Sequence, residues 1–202
     1  MKERGMIFNG EMVRALLDGR KTQTRRPIKW KQTRFTEIGE REDSSKWPWS
    51  EDAEHACDFW HPCPFGAVGD RIWVRETWNK YGGLLTYRAD HDWIDDMRKE
   101  TVCTAKWVPS IHMPRWASRI LLEITDVRVE QLNAISQEDA QAEGMELTGW
   151  RPTYSAPDSG GEVMTPYDNF AELWSSIYGA DSWRANPWVW VIEFKRVEGG
   201  AA

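Results

Sequence analysis

Residues 16–27 read LLDGRKTQTRRP: an apolar helix end, a glycine, and then two threonines among four basic residues. Upstream, Asn9 is suited to cap a helix over residues 10–18, whose apolar side chains share one face. Gly19 stands where a left-handed helix cap is wanted. The stretch therefore predicts a helix followed by a basic loop that ends at Pro27, and we expect this loop to carry the chemistry.

Length and composition predict one soluble domain. The 202 residues suit a single domain with insertions, and the hydrophobic fraction of 41% is sufficient for a core. No apolar run approaches the roughly 20 residues that a membrane span needs, so no membrane contact is expected. Three cysteines (Cys57, Cys63 and Cys103) form no dense framework, which is typical of the reducing cytoplasm.

Charge and tryptophan content bear on the class of ligand. The net charge of −6 disfavours a general polyanion binder, but residues 1–36 contain ten Lys or Arg against three acids. A local basic face on an acidic body suits a small anionic or nucleotide-like ligand, or a short contact with RNA. The 14 Trp indicate aromatic packing for the most part, with stacking on nucleobases as the alternative.

Apolar periodicity predicts a mainly β fold. Strands are predicted over residues 6–8, 71–78, 84–88, 119–129 and 188–197. Two further helices are predicted, one capped by Ser136 and ending at Gly144, the other beginning at Thr165-Pro166. Because strands dominate without βαβ alternation, the fold class is α+β, as a small mixed barrel rather than a doubly wound sheet.

Three insertions are expected, at about residues 29–62, 89–118 and 146–165. The first shows no sustained period over more than thirty residues, which indicates a mobile segment or a lid. It holds four potential zinc ligands within nine residues, namely His55, Cys57, His61 and Cys63. Their spacing is not that of familiar zinc fingers, so a zinc site is the lesser alternative to chance clustering, and no cofactor is expected.

The basic loop combines residue types that support nucleophilic catalysis. A threonine hydroxyl becomes a nucleophile when a base removes its proton, and lysine is such a base when burial or nearby cations lower its pKa. Lys21 and Thr24 lie three residues apart, where Arg20, Arg25 and Arg26 crowd the lysine. A carboxylate from elsewhere is then needed to orient the lysine or pass a proton to a leaving amine. The alternative is a phosphate-contacting or merely solvated loop.

Gly19, Lys21 and Arg26, five residues after the lysine, resemble the signature of the ASCH family. Further segments resemble the family in the same order: residues 68–70, 123–127, 140–145 and 191–195. The resemblance implies one domain over residues 1–202, a PUA-like small β-barrel with flanking helices and long loop insertions. The tryptophan-rich strands and the turn at residues 63–66 also look like ASCH proteins carried by phages and prophages.

Within the family, the resemblance is nearest to bacterial amidohydrolases of N4-acetylcytidine, and it implies that Lys21, Thr24 and Glu143 are catalytic. Thr24 would attack the acyl carbon, Lys21 would take its proton, and Glu143 would orient Lys21 and help to protonate the departing amine. Direct activation of water by Lys21 is the alternative. The implied substrate is a small modified nucleoside or base, and no metal is required.

Arg26, Glu76 and Trp78 are the candidate substrate-binding residues. Strand alternation turns Glu76 inward, where its carboxylate would read the cytosine edge; its alternative is a buried acid paired with Arg75 or Arg26. Trp78 would stack on the base, with core packing as the alternative. Two rival functions remain open: a PUA-type RNA-binding module and an ASCH-type ribonuclease. The sequence predicts no oligomeric state.

Overall fold

The computed structural model of the protein describes residues 1–29, 37–52, 57–81, 83–91, 106–145 and 164–197. These residues form ten strands: β1 (Glu3–Ile7), β2 (Gln23–Pro27), β3 (Glu37–Glu40), β4 (Lys46–Asp52), β5 (Cys57–Trp60), β6 (Arg71–Arg75), β7 (Trp78–Tyr81), β8 (Leu84–Tyr87), β9 (Leu121–Gln131) and β10 (Trp188–Arg196). The α-helices of the same residues are α1 (Gly10–Leu17), α2 (Gln137–Ala142), α3 (Pro166–Tyr178) and α4 (Ala180–Arg184).

The main sheet has five strands in the order β1-β6-β9-β10-β2. β1 pairs parallel with β6, and the other neighbours are antiparallel. A mainly β, mixed fold is therefore confirmed. Within the described ranges the five strands remain an open sheet with β1 and β2 at its edges. The closed barrel and the single-domain boundaries stay predictions.

Local capping explains where the helices begin. The side chain of Asn9 accepts a hydrogen bond from the Met12 amide at the start of α1, and Ser136 caps α2 in the same way. Thr165 forms a complete capping box at α3. These three helices confirm the predictions, whereas the short α4 was not predicted. None of the described helices is long and apolar enough to cross a membrane.

Strand β10 is buried on both faces and divides the core in two. Trp190 and Ile192 belong to the larger cluster, which includes the apolar stripe of α1. Val189 and Val191 belong to a second cluster with side chains of α2 and α3. Because successive side chains of a strand point to opposite faces, β10 holds α1 on one side and the α2 and α3 pair on the other.

Two segments differ from the sequence-based expectation. The part of residues 29–62 that the structure describes is not irregular: β3, β4 and β5 form an antiparallel sheet. The ring of Trp47 packs edge-to-face on Trp190 at 4.9 Å. Packing against the main core therefore stabilises this sheet, although the sequence there has no strand periodicity. The stretch 71–78 is also not one strand, because the Glu76 amide donates to the Met113 sulfur rather than to a neighbouring strand.

The insertions expected at residues 89–118 and 146–165 lie partly outside the described residues, because neither 92–105 nor 146–163 is described. Of the first insertion, residues 106–118 contribute two short 3-10 turns, Ser110–His112 and Arg115–Ala117. A third, smaller cluster of Trp78, Met113 and Ala117 packs this segment against the strand pair β7 and β8.

Gly144, just after α2, has a left-handed backbone with φ of 100°. A Cβ atom at this position would lie 2.8 Å from the Cβ atom of Ala15 and 3.4 Å from that of Lys21. We expect Gly144→Ala to lower the free energy of unfolding by about 3 kcal/mol, because backbone strain and a steric clash act together. Urea denaturation measures this loss.

Gly19→Ala is the matched control for the strain alone. Gly19 also follows a helix, with φ of 75°, and apart from its neighbours in the chain no atom of the described residues lies within 4 Å of a Cβ built there. Its loss should be only about 1–2 kcal/mol. Equal losses in the two variants would contradict a tight contact between α1 and the end of α2.

Candidate active site

The loop after α1 is fastened to the end of α2. The amide of Thr22 donates to the carbonyl of Ala142 at 2.8 Å, and Arg20 Nη1 donates to the carbonyl of Gly144 at 2.9 Å. The last carbonyls of a helix have no partner within the helix, so the loop satisfies acceptors that α2 leaves open. Lys21 is held between these two attachments.

Lys21 and Glu143 form a buried ion pair. Lys21 Nζ lies 2.5 Å from Glu143 Oε2 and also donates to the Glu143 carbonyl at 2.9 Å. The two side chains are 0% and 2% exposed. One residue therefore satisfies two of the three donors of the ammonium group. The structure thus brings together two of the three residues expected to be catalytic.

The pKa of Lys21 is lowered from its ordinary value, and burial is the largest cause. Glu143 opposes this shift through charge and hydrogen bonding, whereas the charges of Arg26 and Arg25 add to it. The sequence analysis named burial and nearby cations as causes and assigned the crowding arginines to Lys21; burial is the larger of the two. Arg20, the third expected cation, donates instead to a backbone carbonyl. A buried lysine with a lowered pKa is a better base near neutral pH.

The second half of the expected loop is strand β2, paired antiparallel with β10. The side chains of Gln23 and Arg25 both contact Asp139 of α2. Arg26 instead donates to the carbonyl of Ile7, on the other side of the strand. The expectation of an irregular loop up to Pro27 was therefore wrong, because pairing with β10 makes this segment extended.

A narrow cleft lies between β2 and α3. Thr24, Arg26 and Glu143 line it, and its cavity volume is about 10 Å³, which is room for about one water molecule. Its apolar wall comes from α3, through Phe170, Leu173, Trp174, Ile177 and Tyr178. Thr24 is 1% exposed. The cleft therefore joins a threonine, a carboxylate and an arginine predicted from the sequence, with Lys21 hydrogen-bonded to the carboxylate.

Arg25 also lines the cleft, and sequence reasoning did not select it as a site residue. Its Nη2 lies 3.1 Å from Glu130 and 3.0 Å from Asp139, and its Nη1 lies 3.6 Å from Glu143 Oε1. Strand alternation could have identified Arg25, because it puts Arg25 on the same face as Gln23, toward α2. This prediction requires that residues 23–27 be recognised as a strand, and the sequence analysis expected a loop there.

Glu76 points inward as predicted, but it is not part of this cleft. Arg119 binds its carboxylate through two hydrogen bonds, at 2.9 and 3.0 Å, and also pairs with Asp90. The expected partners Arg75 and Arg26 were therefore wrong. Burial raises the pKa of Glu76, and the hydrogen bonds and charge of Arg119 oppose the shift.

Trp78 is not among the residues that line the cleft either. It is buried in a small cluster with Met113 and Ala117, and its ring packs edge-to-face on Trp116 at 5.6 Å. This is the core-packing alternative, so Trp78 is not part of the candidate site.

The four potential zinc ligands are described only in part. His55 and the side chain of Cys57 lie outside the described residues. His61 Nε2 lies 2.8 Å from Ser50 Oγ, and burial raises the pKa of the Cys63 thiol. Among the described side chains, no group of three or more His, Cys, Asp or Glu is placed to hold a metal ion.

The site is defined by a buried lysine–glutamate pair next to a threonine-lined cleft in a mainly β domain. No protein-family model, no curated protein and no solved structure matches this chain.

Replacing Glu143 by Gln removes the countercharge of a buried ammonium group. Because Glu143 raises the pKa of Lys21 against burial, the pKa should fall further in Glu143→Gln. Between that pKa and the ordinary value of about 10.4, the unfolded state binds more protons, so the free energy of unfolding should increase with pH. At a pH below this window we expect a loss of about 3 kcal/mol, measured by urea denaturation.

Lys21→Met in the Glu143→Gln background is the control. It removes the group that titrates, so part of the lost stability should return below this window and the pH dependence should flatten. An equally steep pH dependence in the double variant would assign the effect to another group.

Proposed function

We propose that this protein is an ASCH-family amidohydrolase that removes the N4-acyl group from N4-acetylcytidine or a related N4-acylated cytosine derivative. One observation carries the proposal: Lys21 and Glu143, 122 residues apart, meet at 2.5 Å in a buried pair. Thr24 lines the cleft that Glu143 also lines. The resemblance of the basic loop to that family calls for these three residues together, and buried lysines are rare without a specific partner.

In the proposed reaction, Thr24 Oγ attacks the acyl carbon and its proton passes to neutral Lys21 Nζ. The bond between the acyl carbon and N4 then breaks, and the proton passes from Lys21, with the help of Glu143, to the departing nitrogen. The acyl group is left as an ester on Thr24. Water, deprotonated by Lys21, then attacks the acyl carbon of this ester; the bond to Thr24 Oγ breaks, Lys21 returns the proton to that oxygen, and the acyl group leaves as a carboxylate. The lowered pKa of Lys21 supports its role as the base.

The electrostatics of the cleft support amide chemistry. Arg25 and Arg26 both line it, and cations held in a site with little water stabilise the oxyanion that forms at the acyl carbon. No residue of this mechanism needs a metal.

The proposal extends to the fold. We infer a PUA-like barrel built on the five-stranded sheet, with α1 against one face of β10 and α2 and α3 against the other. The mainly β content and the helices that flank the sheet support this inference.

Turnover of N4-acetylcytidine tests the proposal directly. The purified protein should convert it to cytidine, which is followed by the change in ultraviolet absorbance. Lys21→Ala, Thr24→Val and Glu143→Gln should each lower kcat/KM by about 100-fold or more, since each removes one part of the proton and acyl transfer. No turnover, or turnover undiminished in Lys21→Ala, would exclude the proposal.

Lys46→Ala is the matched control, because Lys46 forms a lysine–glutamate pair with Glu40 in which both side chains are about half exposed. Its activity should equal that of the unchanged protein. Affinity for RNA that falls steeply with salt, without turnover, would favour the RNA-binding alternative. Cleavage of an unmodified oligonucleotide that disappears in Glu143→Ala would favour the ribonuclease.

The pH dependence tests Lys21 as the base. Because the amine acts in its neutral form, kcat/KM should rise with pH and level off above the pKa of Lys21, below the ordinary lysine value of about 10.4. Arg26 is one of the charges that lower this pKa. In Arg26→Gln the rising limb should therefore move to higher pH. A limb that stays in place would indicate that Lys21 is not the titrating group.

A further inference from the structure

Three buried polar atoms of residues that line the cleft lack hydrogen-bond partners within the described part of the chain: Glu143 Oε1 and, on Arg25, Nη1 and Nε. Glu143 Oε1 and Arg25 Nη1 lie 3.6 Å apart, which is an ion pair but too long for a hydrogen bond. Their side chains are 2% and 0% exposed. Since leaving buried polar atoms unpaired is costly, such a pair indicates a place where a ligand supplies the missing partners.

One other atom of each group forms hydrogen bonds that fix the orientation of the side chain. Glu143 Oε2 accepts from Lys21, and Arg25 Nη2 donates to Glu130 and Asp139. Neither group can turn without breaking these bonds. One acceptor and one donor are consequently held side by side at the cleft, which both residues line.

An adjacent acceptor and donor complement a planar edge on which an N–H stands next to a ring acceptor. We propose that Glu143 Oε1 accepts the N4–H of the acylated cytosine and that Arg25 Nη1 donates to its ring N3. This inference rests on the proposed function and makes Arg25 a specificity-determining residue. It also places the leaving nitrogen next to the carboxylate that helps to protonate it.

The same arrangement selects against uracil. At the corresponding positions uracil presents an acceptor, O4, and a donor, N3–H, so both contacts would face like groups. A site that hydrogen-bonds one arrangement rejects the other strongly, because its own buried polar groups are then left unpaired.

A cycle between the protein and the substrate tests the assignment of Arg25 to N3. The substrates are N4-acetylcytidine and its 3-deaza analogue, which lacks the N3 acceptor. The 3-deaza change should lower kcat/KM by about 10- to 100-fold in the unchanged protein. Arg25→Lys loses Nη1, so the 3-deaza change should no longer cost this variant a hydrogen bond. Its ratio of kcat/KM for the two substrates should then lie within about threefold of the ratio of their intrinsic hydrolysis rates.

Alkaline hydrolysis of the two free compounds gives that intrinsic difference in reactivity. Arg128→Lys is the matched control, because Arg128 also binds Glu130 and Asp139 but does not line the cleft. The Arg128→Lys variant should have the same ratio of kcat/KM for the two substrates as the unchanged protein. An equal 3-deaza effect in Arg25→Lys and in the unchanged protein would overturn the assignment.

Binding of the products needs no variant and no turnover. By calorimetry, cytidine should bind at least about 10-fold more tightly than uridine. If N4-acetylcytidine is hydrolysed but the two nucleosides bind equally, the edge-reading proposal fails and the proposed function stands. If nothing is hydrolysed but cytidine is preferred, the proposed function fails while the cleft is still a reader of the cytosine edge.

Discussion

The buried ion pair between Lys21 and Glu143 is the interaction on which the rest of the site depends. Hiding two charges from water is costly, and the cost is offset only when donors and acceptors match closely. Here the lysine takes both the carboxylate and the carbonyl of one residue. Gly144 permits this fit, because a side chain there would separate α1 from the end of α2. The packing of α1 on α2, the attachment of the loop and the pairing of the two charges thus depend on one another.

The pair continues into a network of alternating charges. Arg25 connects Glu143 to Asp139, and Arg128 connects Asp139 to Glu193. Exposure of the side chains increases along this line, from 0% for Arg25 to 25% for Asp139, 30% for Arg128 and 42% for Glu193. Such a network rigidifies a site when its members are satisfied. The unpaired atoms of Glu143 and Arg25 are exceptions in this network, and both residues line the cleft.

Local features of the fold could be predicted, and distant partners could not. The helix starts at Asn9, Ser136 and Thr165 follow from side chains that cap their own backbone, and β9 and β10 follow from periodicity. By contrast, β3 to β5 pack against the core through tryptophan side chains, and no pattern in the sequence predicts this packing. The partner of Glu76 is Arg119, 43 residues away. Spacing alone did not bring Lys21 to Glu143 either; the family resemblance nominated that carboxylate.

The position of β2 explains why a cleft exists at this place. One side of β2 pairs with β10, and within the described residues no strand pairs with its other side. α3 packs against the sheet through Phe170 and Trp174, and its side chains also line the cleft beside β2. A helix is about 10 Å wide, whereas a paired strand would lie about 4.8 Å away, so a helix beside an unpaired strand leaves space between side chains. Thr24 is therefore almost inaccessible to bulk water and also lines this small space, so a group that reacts with its hydroxyl has to enter through the cleft.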